Sequence, residues 1–136
     1  MQVTMHRHSV ALFVAAAVLA TPALADEFTE ADLARWHQQY MSVVQQGREL
    51  WGSGSLGTNH LACGQCHPNA ANTHPETYPK FQKQLGKVAP VWEMINWCIR
   101  NPLEGEPLRA DDPRMTALQA YIAYERRGVK LDPGRH

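Results

Sequence analysis

Cys63, Gly64, Gln65, Cys66 and His67 form the pentapeptide C-x-x-C-H. Two thiols at this spacing can add across the two vinyl groups of one porphyrin edge. The histidine that follows can then present an imidazole nitrogen to the iron, which is the attachment pattern of c-type haem. Pro68 stiffens the chain directly after His67. A zinc site would need a second pair of ligands at matching spacing, and the remaining histidines are scattered. A thioredoxin-like dithiol belongs between a strand and a helix, whereas this pair follows the glycine-rich stretch "GSGSLGTN". A plain disulfide gives His67 no role. The spacing predicts one covalently attached haem c, bound through Cys63 and Cys66 with His67 on the iron.

Cys98 is then left over. An exposed free thiol in an oxidising compartment is open to oxidation. Cys98 is therefore buried and inert, paired with another chain, or a metal ligand. Other side chains compete for the sixth position on the iron. Met94 lies one helical turn before Cys98 on the same face, Met115 begins the last helix, and His74 falls in an irregular stretch. A thiolate lowers the potential of a haem, and a neutral thioether raises it.

These residues need a scaffold. Residues 28–51, "FTEADLARWHQQYMSVVQQGRELW", carry apolar side chains at helical spacing, with Thr29 and Asp32 placed for a capping box. The C-x-x-C-H loop comes next, then the proline-rich "HPNAANTHPETYPK". A middle helix is expected from Pro90 to Ile99, with Pro90 in its first turn and Asn101-Pro102 ending it. "LEGEPLRADD" reads as a loop. The last helix is capped by Asp112, starts at Pro113, presents Met115, Leu118, Tyr121 and Ile122 on one side, and stops near Gly128. No alternating strand pattern is evident. The fold class expected is all-α, with three main helices around the haem.

The first 25 residues read differently. A basic start, the apolar run "SVALFVAAAVLA" and the small-x-small pair Ala23/Ala25 have the form of a secretory signal cleaved after Ala25. The run is shorter than the roughly 20 residues that a bilayer-spanning helix needs. Residues 26–136 would be a single monohaem cytochrome c domain, exported to the periplasm and without a membrane span after cleavage. The 136-residue chain has 13 basic and 13 acidic side chains, which excludes the basic field of a nucleic-acid binder.

The order of helix, haem loop and closing helix resembles class I cytochromes c. A narrower likeness rests on "INWC" at Ile95–Cys98, "NPLEGEPL" at Asn101–Leu108 and "DDPRMTALQAYI" at Asp111–Ile122. These segments resemble the cytochrome c domain of bacterial sulfur-oxidation cytochromes of the SoxA and TsdA type. The resemblance implies Cys98 as the sixth haem ligand and a place in thiosulfate oxidation. It also implies redox partner proteins, among them a second cytochrome or a sulfur-oxidation subunit. Relatives of that type usually hold two such domains, and this chain has one C-x-x-C-H motif. We therefore expect a periplasmic electron carrier rather than an enzyme on its own. The alternative is the catalytic haem subunit of a thiosulfate-oxidising enzyme.

Overall fold

A computed structural model describes residues 28–130. The signal-peptide reading lies outside the described residues. Helix α1 runs Glu30–Gly52, α2 is the single turn Cys63–Cys66, α3 runs Val91–Arg100 and α4 runs Pro113–Arg126. Short 3-10 turns and one hairpin, β1 (Lys80–Gln82) with β2 (Lys87–Ala89), fill the connections. The described chain is mostly helical and has the form of a small cytochrome c fold.

The caps form as the sequence indicates. The Thr29 hydroxyl accepts from the Asp32 amide at 3.1 Å, and the Asp32 carboxylate accepts from the Thr29 amide at 3.1 Å. Asp112 accepts from the Arg114 amide at 2.9 Å, and Pro113 opens α4, where no amide donor is missed. Gly128 follows α4 with φ of 70°, in the left-handed region that glycine enters without strain. Pro90 departs from expectation. It is the extended residue just before α3, with φ of −72° and ψ of 164°, so the helix begins at Val91.

The Asp112 carboxyl is held below its ordinary value of 3.8, chiefly by its hydrogen bonds with Arg114. A depressed carboxylate stabilises the fold above its unfolded pKa, and the contribution is lost as pH falls through the folded value. Thermal unfolding followed below about pH 4 should therefore show a smaller acid-induced loss for Asp112→Asn, which still caps but does not titrate, than for the parent.

Helices α1 and α4 form the main contact. At their crossing, a Cβ on Gly47 would run into the Ala117 carbonyl and the Tyr121 Cβ. Only glycine lets the backbones approach this closely. Gly47→Ala should cost about 3 kcal/mol through overpacking, read as a lower denaturant midpoint at unchanged slope. Val44 and Trp51 from α1 join Ile95 and Ile99 from α3, and Met115, Leu118, Tyr121 and Ile122 from α4, in one buried cluster.

The C-terminal half of α1 contributes to this core, while Leu33, Trp36 and Tyr40 in its first half stay exposed. Arg48 pairs with Glu125 at 2.7 Å across the α1–α4 seam. The loop after α1 is fastened to the loop after α3. The Thr58 amide donates to the Leu103 carbonyl at 3.1 Å, and the Asn59 side-chain amide donates to the Pro102 carbonyl at 2.7 Å. These bonds fix the approach to Cys63.

The hairpin is a departure from the sequence reading. Lys80 pairs with Ala89, Phe81 with Val88 and Gln82 with Lys87, antiparallel. Its turn closes with the Gly86 amide on the Gln82 carbonyl at 2.8 Å, and Gly86 has φ of 67°. Each strand is three residues long, too short for a period of two to stand out.

A cavity that gathers three cysteines and a histidine

Residues of all four helices and the hairpin line a cavity of about 530 Å³. That lies within the ~300–1,000 Å³ of pockets that bury a sizeable ligand. Cys63, Cys66 and His67 line it from α2 and its C-terminal cap, and Cys98 lines it from α3. Val91, Met94, Ile95 and Cys98 recur at helical spacing, and all four line the cavity, as does Trp97. Leu61, Leu103 and Ile122 add apolar surface.

The polar edge comes from Asn72, Thr73, Tyr78, Lys80, Gln82 and Gln84. Lys80 carries the one ammonium among the cavity residues described, and none of those residues is a carboxylate.

The sulfurs share this space. Burial, reinforced by Cys98 nearby, pushes the Cys63 thiol up to about 11. Burial, with Cys66 nearby, also raises the Cys98 thiol. Tyr78 is raised by burial and by proximity to Cys98. A thiol kept protonated by its surroundings is a poor nucleophile in solution. No disulfide joins any of the three cysteines.

The chain around His67 holds its ring in a defined state. Nδ1 lies 2.8 Å from the Ala71 carbonyl, which can only accept, so Nδ1 carries the proton and donates. Nε2 is then the basic nitrogen, the tautomer a metal-binding imidazole needs. The turn that brings Ala71 under the ring runs through left-handed conformations at Asn69 and Ala70. It is closed by the Ala70 amide on the His67 carbonyl at 3.1 Å and by the Thr73 hydroxyl on the Ala70 carbonyl at 2.7 Å. From the other side, Trp51 Nε1 donates to the His67 carbonyl at 2.9 Å. Trp51 therefore links α1 to the site, a role that its apolar character did not reveal.

The other sequence candidates separate clearly. Met94 lines the cavity. Met115 is fully buried in the core and is not among the cavity residues. His74 turns its Nδ1 to Glu76 at 3.4 Å and is likewise not among them.

A second support escaped the sequence reading. Asn96 is 8 % exposed; its amide donates to the Leu108 carbonyl and its carbonyl accepts from the Leu108 amide, both at 2.8 Å. This pins the loop between α3 and α4 to the helix that carries Cys98. Asn96→Leu should destabilise the protein by about 3 kcal/mol, because two buried backbone groups lose their partners, and this is measurable by denaturant titration.

A two-thiol turn, an oriented imidazole and a cavity flanked by helices define a cytochrome c domain. The chain belongs to the family described as SoxA/TsdA, cytochrome c domain, whose model matches residues 46–131. Among curated proteins it is similar to the L-cysteine S-thiosulfotransferase subunit SoxA of Rhodovulum sulfidophilum. The two are 29 % identical over 109 residues, covering 78 % of this chain and 38 % of the relative. It is also similar to the thiosulfate dehydrogenase of Psychrobacter arcticus, with 28 % identity over 74 residues, covering 48 % of this chain and 23 % of the relative. The chain thus spans well under half the length of either relative.

A cytochrome c domain carries covalently bound haem c, and the cavity fits one. Haem is an apolar disc with two carboxylates at one edge. The cavity offers apolar walls, two thiols, a basic Nε2, and a polar edge with an ammonium and no carboxylate.

Proposed function

We propose that this chain is a monohaem c-type cytochrome that transfers single electrons outside the cytoplasm in the oxidation of inorganic sulfur compounds. In this reading Cys63 and Cys66 would carry the thioether links, and His67 and Cys98 would hold the iron. The observation that carries it is the convergence of these four side chains, from α2 and α3, on one cavity. The family and the names of the two relatives support the sulfur-oxidation context. The signal-like residues 1–25 support export. Among the described residues no helix is long and apolar enough to cross a membrane.

When bound, the haem supplies a one-electron couple whose potential follows its ligands and burial. The residues of this chain set that environment. The Ala71 carbonyl keeps the proton on His67 Nδ1 and so leaves Nε2 free to bind a metal. Trp51 and the closed turn after His67 limit movement of the ring, which keeps reorganisation on electron transfer small. The apolar side chains of α3 form one wall of the cavity. Cys98 as thiolate places a negative charge beside the metal and favours its oxidised state. The polar edge, with Lys80, would receive the carboxylates of the group.

A catalytic subunit role is the second reading, favoured by the activities for which the two relatives are named. One experiment separates the two. The oxidised holoprotein is mixed with thiosulfate and the haem bands are followed. A carrier stays oxidised, yet cycles reversibly with chemical reductants and oxidants. Reduction by thiosulfate at a catalytic rate would instead assign the chemistry to this chain.

A further inference from the structure

One apolar stripe runs along α1, and only its second half is covered. Leu33, Trp36, Tyr40, Val44 and Trp51 recur at helical spacing. Val44 and Trp51 belong to the buried cluster. Leu33, Trp36 and Tyr40 are 53 %, 39 % and 39 % exposed. Tyr40 marks the limit of the cover, where its hydroxyl donates to the Ala120 carbonyl of α4 at 3.4 Å. Leu33 stands about 21 Å along the axis from Gly47, where α1 touches α4, at a rise of ~1.5 Å per residue. Phe28, 65 % exposed, extends the uncovered half, and its ring meets Trp36 edge-on with centroids 4.8 Å apart.

The polar surface beside this stripe carries no charge. From Trp36 to Gly47 there is no Asp, Glu, Lys or Arg, although the whole chain has 13 basic and 13 acidic side chains. His37, Gln38, Gln39 and Ser42 are exposed there. Nearer the start of the helix, Asp32 and Arg35 pair with each other. A charged rim steers a transient partner and selects it by sign. A rim without charge selects no such partner, and it meets no repulsion from its own copy. A twofold contact uses the same patch on both chains, so the patch must be complementary to itself.

The area is also sufficient. With aromatic side chains offering about 150–250 Å² each, the four exposed apolar side chains leave roughly 400 Å² open on each chain. Two copies face to face would cover roughly 800 Å² of apolar surface. Homodimer interfaces are about 65 % apolar, so the whole contact would bury roughly 1,200 Å², the lower edge of a stable interface.

We propose that the first half of α1, with Phe28, Leu33, Trp36 and Tyr40, docks the same surface of a second copy of this chain in a twofold dimer. The proposal goes beyond the electron-transfer reading and does not depend on it.

Sedimentation velocity of the holoprotein tests it, at loadings from about 1 μM to about 100 μM, which bracket the affinity of an interface this small. The parent should sediment as two chains at the highest loading and move toward one chain at the lowest. Two stripe variants are compared, Leu33→Gln/Trp36→Gln and Leu33→Lys/Trp36→Lys. Both positions are exposed and outside the cavity lining, so the visible spectrum and the unfolding midpoint should match the parent. The glutamine variant should weaken the dimer about 10-fold or more. The lysine variant, which sets like charges against each other across the twofold axis, should sediment as one chain throughout. Gln38→Lys, on the opposite side of α1, should behave as the parent does. A parent that sediments as one chain at every loading would overturn the proposal. So would stripe variants that dimerise within twofold of the parent, since the copies would then meet elsewhere. A one-chain parent that binds phosphatidylcholine vesicles, with binding lost in the glutamine variant, would assign the stripe to a lipid surface and make the proposal wrong.

Discussion

The Cys63→Ser/Cys66→Ser variant will release all of its haem under denaturing conditions, whereas the parent chain will keep it. Thioether links survive unfolding, and coordination bonds do not. The two cysteines are the first and last residues of a single helical turn, held by the Gln65 side chain accepting from the Ala62 amide at 2.8 Å and the His67 amide donating to the Cys63 carbonyl at 3.0 Å. Serine fits the same turn, so the backbone is kept and the chemistry removed. Haem staining of a denaturing gel reads the result directly. A small domain whose core is completed by the cofactor will also lose stability in the variant. The expected fall in unfolding temperature is large, because the cavity walls from α3 lose the group they enclose. Haem that stayed with the serine variant through denaturation would place the attachment elsewhere.

Cys98→Ala will raise the midpoint potential. The expected shift is more than ~0.1 V, a fraction of the ~0.8 V range that axial ligands command. Removing an anionic ligand removes the charge that favours ferric iron. The low-spin thiolate signature in the paramagnetic resonance spectrum will vanish with it. Met94 is the side chain placed to act next, since it lies one turn away on α3 and lines the same cavity. Neither Met115 nor His74 is among the cavity residues. The double variant Cys98→Ala/Met94→Ala should therefore lose the sixth protein ligand and bind carbon monoxide when reduced. A thioether charge-transfer band present in the parent and unchanged in Cys98→Ala would contradict thiolate ligation and make Cys98 a buried core thiol.

Helices α1 and α4 were legible because each carries its own punctuation. Thr29 with Asp32, Asp112 with Pro113, and Gly128 are local signals with local causes, and all act where expected. The pentapeptide at Cys63–His67 stands out by its spacing alone, and the structure places its two cysteines and its histidine on one cavity. The rest depends on contacts between distant segments. Trp51 on the His67 carbonyl and Asn96 on Leu108 are hydrogen bonds that no single window of sequence contains. Gly47 reads as a weak point in a helix until Ala117 is seen against it. The hairpin was missed because each strand is three residues long, too short for alternation to stand out. Cys98 falls between these cases. Its position on the cavity face follows from helical spacing, while its chemistry there depends on what fills the cavity.

One haem held at Cys63, Cys66 and His67 and serving electron transfer would show itself in both the mass and the redox behaviour of the chain. The most direct measurement is a spectroelectrochemical titration of the purified holoprotein, with the mass of the intact chain taken from the same sample. The account predicts a mass equal to one chain plus one haem, and a single reversible one-electron transition with identical oxidative and reductive curves. A chain without haem, two transitions, or curves that fail to superimpose would contradict it.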